Sequence, residues 1–179
     1  MTTTKPNIHF IDPGPTCREV DIVNLEKLIG CSLPADYRNY LFKHNGAQPK
    51  FVEFPDKNAF VRVSKDLKNS VALLDHFIRL INKGPTMNLS DSYASFKPVL
   101  PDFALPIARD PSNRLFLLFL AGSRKGEIVY GPIKKSSSYP LAPLKDQDNL
   151  GHVAKSFTGF IDALEVEPDD WDDWEAQNT

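Results

Sequence analysis

A histidine beside an asparagine, an aspartate shortly before another asparagine, and a run of carboxylates around two tryptophans are the groupings with chemical potential in this 179-residue chain. His44 precedes Asn45, and an imidazole that titrates near neutral pH can carry a proton or ligate a metal. On a helix face that also bears Tyr37 and Tyr40, the same ring reads equally as a packed or capping residue. Asp110 and Asn113 could bracket a ligand or a metal. Their side chains also readily accept local backbone donors, which would hold a turn. The last grouping is Asp169, Asp170, Trp171, Asp172, Asp173, Trp174 and Glu175. Its carboxylates would mimic a phosphate backbone and steer a basic partner, with the tryptophans as rigid anchors of the kind enriched in binding hot spots. The alternatives for this tail are a solvated end and a segment whose tryptophans fold back onto the domain.

The remaining motifs exclude more than they offer. His9, His76 and His152 lie in unrelated segments without HxxxH or HExxH spacing, so no metal site is expected. Cys17 and Cys31 have no CxxC partner, which argues against zinc and against a disulfide framework. No GxSxG elbow accompanies the solvated loop Ser136 to Ser138, and Gly122 to Gly126 lacks the order of a phosphate-wrapping loop. The tail lacks the glycine and distal glutamate of an EF-hand. We therefore expect a non-enzyme with no catalytic residues and no cofactor. The net charge of −2 hides an asymmetry: residues 165–179 hold seven of the 23 acids and no Lys or Arg, which leaves residues 1–164 with five surplus bases. Those bases include Lys65, Lys68, Arg124, Lys125, Lys134 and Lys135. No zinc finger, basic helix or RNA-binding signature accompanies them, so no nucleic-acid partner is expected.

The elements that must position these residues follow from periodicity. Apolar residues from Glu19 to Ile29 recur at helical spacing and Gly30 stops them. A second helix starts at Pro34, with Asp36 in its first turn, and ends at Asn45-Gly46. Short strands are expected near Phe51 to Phe54, Ala59 to Val63 and Leu105 to Ala108, with a third helix over Leu67 to Ile81 and a long loop over 85–103. Asp110 to Asn113 predicts a turn, Arg114 to Ala121 a buried central strand, and Gly126 to Ile133 its hairpin partner. A final helix from about Leu150, capped by Asp148 or Asn149, would present Val153, Phe157, Phe160, Ile161 and Leu164 on one face. Helices at both ends of a strand-rich middle predict an α+β domain with a mainly antiparallel central sheet. The longest apolar run, Leu115 to Ala121, is too short for a membrane span, and Met1 to Pro6 lacks a signal-peptide core. A cytoplasmic protein is expected.

Three segments together resemble the SMI1/KNR4 family, also called the SUKH superfamily. The first carries Leu33, Pro34, Tyr37, Leu41, Asn45 and Gly46 on the second helix. The second carries Leu105, Pro106, Ile107, Ala108, Asp110 and Asn113, then an apolar strand and Gly126, Val129 and Tyr130. The third is Ala154, Ser156, Phe157, Phe160 and Ile161. Ser112 stands where the family often has glycine, Gly131-Pro132 where an aromatic usually follows, and the stretch 65–97 is longer than a minimal member needs. The division is an extended lead-in over 1–18, a family-like domain over 19–165 with a helical insertion at about 65–97, and an acidic tail over 166–179.

The resemblance implies a protein-binding domain. Many bacterial members are similar to immunity proteins that inactivate toxins, often nucleases, and fungal relatives look like scaffolds. The expectation is an immunity protein whose partner is a cognate toxin, contacted by Asp169 to Glu175 and by a groove near His44, Asn45, Asp110 and Asn113. An intracellular scaffold without a toxin partner is the alternative.

Overall fold

A computed structural model describes residues 7–64, 70–132, 144, 145 and 147–178. The bases Lys65, Lys68, Lys134 and Lys135, the serines 136–138, Leu67 and the residues 1–6 lie outside that set. Strand β1 (Ile8–Ile11) pairs antiparallel with β2 (Gln48–Phe51), so the expected extended lead-in contains a strand. Helix α1 (Glu19–Ile29) buries Ile22, Leu25 and Ile29. Asp21 accepts the Arg18 backbone N–H at 2.8 Å at its start, and Gly30 ends it at φ 81. Helix α2 (Ala35–His44) follows Pro34 and buries Tyr37, Tyr40 and Leu41. Glu26 joins the two helices: its Oε1 accepts from the Leu33 backbone at 2.9 Å and from Arg38 Nη1 at 2.8 Å.

Among the described residues the strands form three antiparallel sheets, of which the β1–β2 pair is the smallest. Strands β5 (His76–Phe77), β6 (Ala104–Arg109), β7 (Leu115–Phe119), β8 (Ile128–Gly131) and β9 (Gly151–Ala154) lie side by side in that order. Every residue of β7 is buried, as its unbroken apolar sequence requires of a strand covered on both faces. The second sheet has the order β10 (Glu165–Val166), β3 (Ala59–Arg62), β4 (Val71–Leu74). A bridge between Ser64 and His152 ties it to the first. Helix α4 (Phe157–Asp162) places Phe157 against Tyr37 and Tyr40, with ring centroids 4.9 and 4.8 Å apart. Its N-terminus is held twice. Ser156 Oγ accepts from Gly159 N at 3.0 Å, and Asp36 of α2 accepts from Thr158 N at 2.9 Å.

Three local expectations are corrected. Within the helix expected over Leu67 to Ile81, the described residues form strands β4 and β5. Burial in β4 alternates along Val71, Ala72, Leu73 and Leu74, and pairing of this segment with β3 and β6 outweighs its helix-compatible spacing. The expected loop over 85–103 contains helix α3 (Leu89–Phe96), whose start is fixed by Asn88 Oδ1 accepting from Asp91 N at 2.9 Å. The last core helix begins at Phe157 rather than near Leu150, because Gly151–Ala154 completes the large sheet against β8. Its cap is Ser156, not Asp148 or Asn149. Among the described residues, no helix is long and apolar enough to cross a membrane.

Candidate functional site

Along β3 the side chains alternate between two faces. Ala59 and Val61 join the central core, whereas Phe60 lies outside that cluster yet is fully buried. The tail covers it. Helix α5 (Trp171–Asn178) sets Trp171 and Trp174 against Phe60, with ring centroids at 5.2 and 5.5 Å, and against each other at 5.5 Å, all edge to face. Arg62, two residues along the same face, lies 4.8 Å from the Trp174 ring centroid. Its guanidinium donates to both Glu165 carboxylate oxygens at 2.7 and 3.0 Å and to Asn178 Oδ1 at 3.0 Å. Those bonds to Glu165 raise the Arg62 pKa. Of the three readings of the tail, the structure places the tryptophans folded back on the domain.

The docking organises the carboxylates. Asp170 Oδ1 accepts from the backbone of Asp172 at 2.9 Å and of Asp173 at 3.2 Å, capping α5. Asp172 and Asp173 occupy the first turn, where the helix dipole favours negative charge. Asp169 pairs with Lys57. Asp169, Asp170, Asp172, Asp173 and Glu175 are all exposed, so they form an acidic surface on an ordered helix. Sequence reasoning missed the receiving residues, Phe60 and Arg62. The available signal was a phenylalanine and an arginine at i, i+2 on a strand whose core face was already supplied by Ala59 and Val61.

The other four predicted residues make contacts within the fold. Asn45 is buried at the end of α2 in the left-handed region, φ 41. Its Nδ2 donates to the carbonyls of Pro15 at 2.6 Å and Ile81 at 2.9 Å. Its Oδ1 accepts from Leu80 N at 2.8 Å and Ile81 N at 3.2 Å. His44 packs against Phe10 and Tyr40, with centroids at 4.2 and 5.5 Å. Asp110 and Asn113 shape the turn between β6 and β7. Asp110 N donates to Arg114 O and Asn113 N to Asp110 O, both at 3.0 Å, with Asn113 at φ 63. That is a three-residue hairpin loop closed by a left-handed residue. Asp110 Oδ2 accepts from Tyr130 Oη at 2.5 Å, and Oδ1 from Arg114 N at 2.8 Å. Asp110 follows Arg109, the partner of His76, whereas Asn45 is fixed at Leu80 and Ile81.

Among the described residues, no three His, Cys, Asp or Glu side chains converge as metal ligands, and both cysteines are free thiols. A family model described as SMI1 / KNR4 family (SUKH-1) matches residues 16–163. The chain belongs to that family. The match spans α1 through α4, including the hairpin turn at Asp110 and the Asn45 clasp, and stops before β10 and α5. The helix with the acidic surface lies beyond the matched residues. No curated protein matches the chain.

Proposed function

We propose that this SUKH-family protein is an immunity protein: it binds a cognate toxin and blocks it by occlusion and charge complementarity, without chemistry of its own. Family membership supports a protein-binding role. The observation that carries the reading further is the acidic helix α5, held on β3 by Trp171 and Trp174. A pre-ordered surface loses little conformational entropy on binding. Its carboxylates offer the field that a basic, nucleic-acid-degrading partner would recognise. Asp169 to Glu175 are the proposed contact, with the exposed edges of the tryptophan rings contributing apolar area. A weaker second contact is proposed near His44, Asn45, Asp110 and Asn113.

The test is co-expression with candidate toxic domains drawn from the gene's own neighbourhood. A stoichiometric complex, and survival of cells that the domain alone kills, would support the proposal. If this protein instead co-purifies only with endogenous regulatory proteins, and rescues no toxin-expressing cells, the scaffold reading replaces it.

A further inference from the structure

A cavity of about 480 Å³ opens between β5, the loop leading to α3, and α3 itself, on a different sheet from the acidic tail. Its volume falls within the range typical of small-molecule sites, about 300–1,000 Å³. The polar lining includes Arg109, Arg79, His76, Asn82, Thr86 and Ser92, with no carboxylate among the described lining residues. Arg79 is paired on its outer side with Asp12, and His76 Nδ1 faces Asp75 at 2.7 Å. Arg109 differs. It is half-buried, its guanidinium lies 5.3 Å from the Phe96 ring centroid, and no carboxylate among the described residues pairs with it. Burial lowers its pKa, the sign of a cation held away from water without compensation. Ser92 is the second anomaly. A serine inside a helix can return its hydroxyl to the carbonyl four residues back, yet Ser92 Oγ is buried with no hydrogen-bond partner. A native fold rarely leaves such a group unsatisfied without a reason.

We propose that this cavity binds a small molecule through an oxyanion, a carboxylate or a phosphate group, gripped by Arg109 and hydrogen-bonded by Ser92 Oγ. The planar guanidinium matches such groups with two parallel bonds. Phe77, Ile78 and Met87, which also line the cavity, receive the ligand's apolar body. The site is independent of the toxin-binding surface.

The probes are phenyl phosphate and benzoate, titrated into the full-length protein at low ionic strength by calorimetry and by amide shifts of residues 76–92. Saturable binding of either supports the site, and the tighter probe identifies the oxyanion. Arg109→Gln is expected to weaken binding by roughly tenfold or more, since a hydrogen bond to a charged group is lost. Arg109→Lys should retain part of it. Ser92→Ala is expected to weaken binding several-fold without lowering the melting temperature, because the hydroxyl contributes no bond to the free protein. Absence of saturable binding of both probes at millimolar concentration, or wild-type binding by a folded Arg109→Gln protein, would overturn the proposal.

Discussion

Trp174 meets Phe60 edge to face, with ring centroids 5.5 Å apart and planes at 89°. This contact gives β3 a covered outer face as well as a core face. The three-stranded sheet is therefore sandwiched: Ala59 and Val61 look inward, Phe60 looks toward the tail. The acidic residues beyond Pro168 inherit a fixed orientation from two aromatic rings and one arginine.

Both tryptophans of the chain lie in this helix, so intrinsic fluorescence reports docking directly. Aromatic pairs contribute roughly 0.5–1.5 kcal/mol each beyond area burial, and Phe60 makes two. Phe60→Ala is expected to weaken docking by roughly 2 kcal/mol, shift emission to longer wavelength and raise acrylamide quenching. The far-UV signal of the body should persist. Wild-type emission and quenching in that variant would mean that Phe60 does not hold the tail.

Asn45 is expected to be the most sensitive polar residue in the fold. Its side chain bonds the backbones of Pro15, Leu80 and Ile81, and a Cβ on Gly14 would lie 2.4 Å from the Asn45 carbonyl oxygen. Asn45→Ala strands buried donors and acceptors, at about 1–3 kcal/mol for each unsatisfied group, so a loss of roughly 3 kcal/mol or more is expected in urea unfolding. Asn45→Gly relieves the left-handed backbone but not the lost bonds, and should fall between wild type and alanine. Equal stability of all three proteins would show that the clasp contributes nothing.

The parts legible in the sequence were those where local and tertiary preferences agree. Gly30 and Asn45-Gly46 marked true helix ends, and the apolar run through Leu115 and Phe119 marked a true central strand. The segment from Val71 to Ile81 misled because its apolar spacing fits a helix, while its partners, β3 and β6, are distant in sequence. Helix α3 was hidden between prolines, with only the Asn88 cap to announce it. His44 and Asn45 drew attention as chemistry, yet Asn45 attaches to segments 30 and 36 residues away, which no local pattern reveals. Arg109 stood out in no motif. Its interest arises from half-burial without a carboxylate partner among the described residues, a property of the assembled sheet.

A pH dependence follows from His44. Burial against its aromatic neighbours, with Lys43 adding repulsion, lowers its pKa below the ordinary 6.5. The unfolded chain therefore takes up the proton first, and stability contributed by the neutral ring is complete above that ordinary value. It is lost as pH falls through 6.5 toward the depressed folded value, and the loss levels off below it. His44→Gln should flatten the melting-temperature profile in this window. Glu127 acts lower on the scale. Arg124 first, and His152 to a lesser degree, hold its carboxyl below 4.5, so its contribution is present above that value and vanishes as pH falls through the folded value. Glu127→Gln should remove only that acid-side loss. Unchanged profiles in both variants would refute these assignments.

The acidic surface of α5 makes a kinetic prediction for the proposed toxin complex. Attraction between an acidic helix and a basic partner acts mainly on the association rate and fades as salt screens it. Asp172, Asp173 and Glu175 are exposed, whereas the rings that dock the helix are Trp171 and Trp174, so these charges can be neutralised without altering either ring. The triple variant D172N/D173N/E175Q is expected to bind about tenfold more slowly at low ionic strength and to approach wild-type rates at high salt. Tryptophan emission should match wild type, showing that docking is intact. Deleting residues 168–179 should slow association as much and also speed dissociation, because it removes the aromatic contact area as well. If stopped-flow association with the co-expressed toxin domain is the same for wild type and the triple variant at low salt, the acids do not steer. If the deletion alone speeds dissociation while the triple variant behaves as wild type, the tail binds through its aromatic rings rather than its charge.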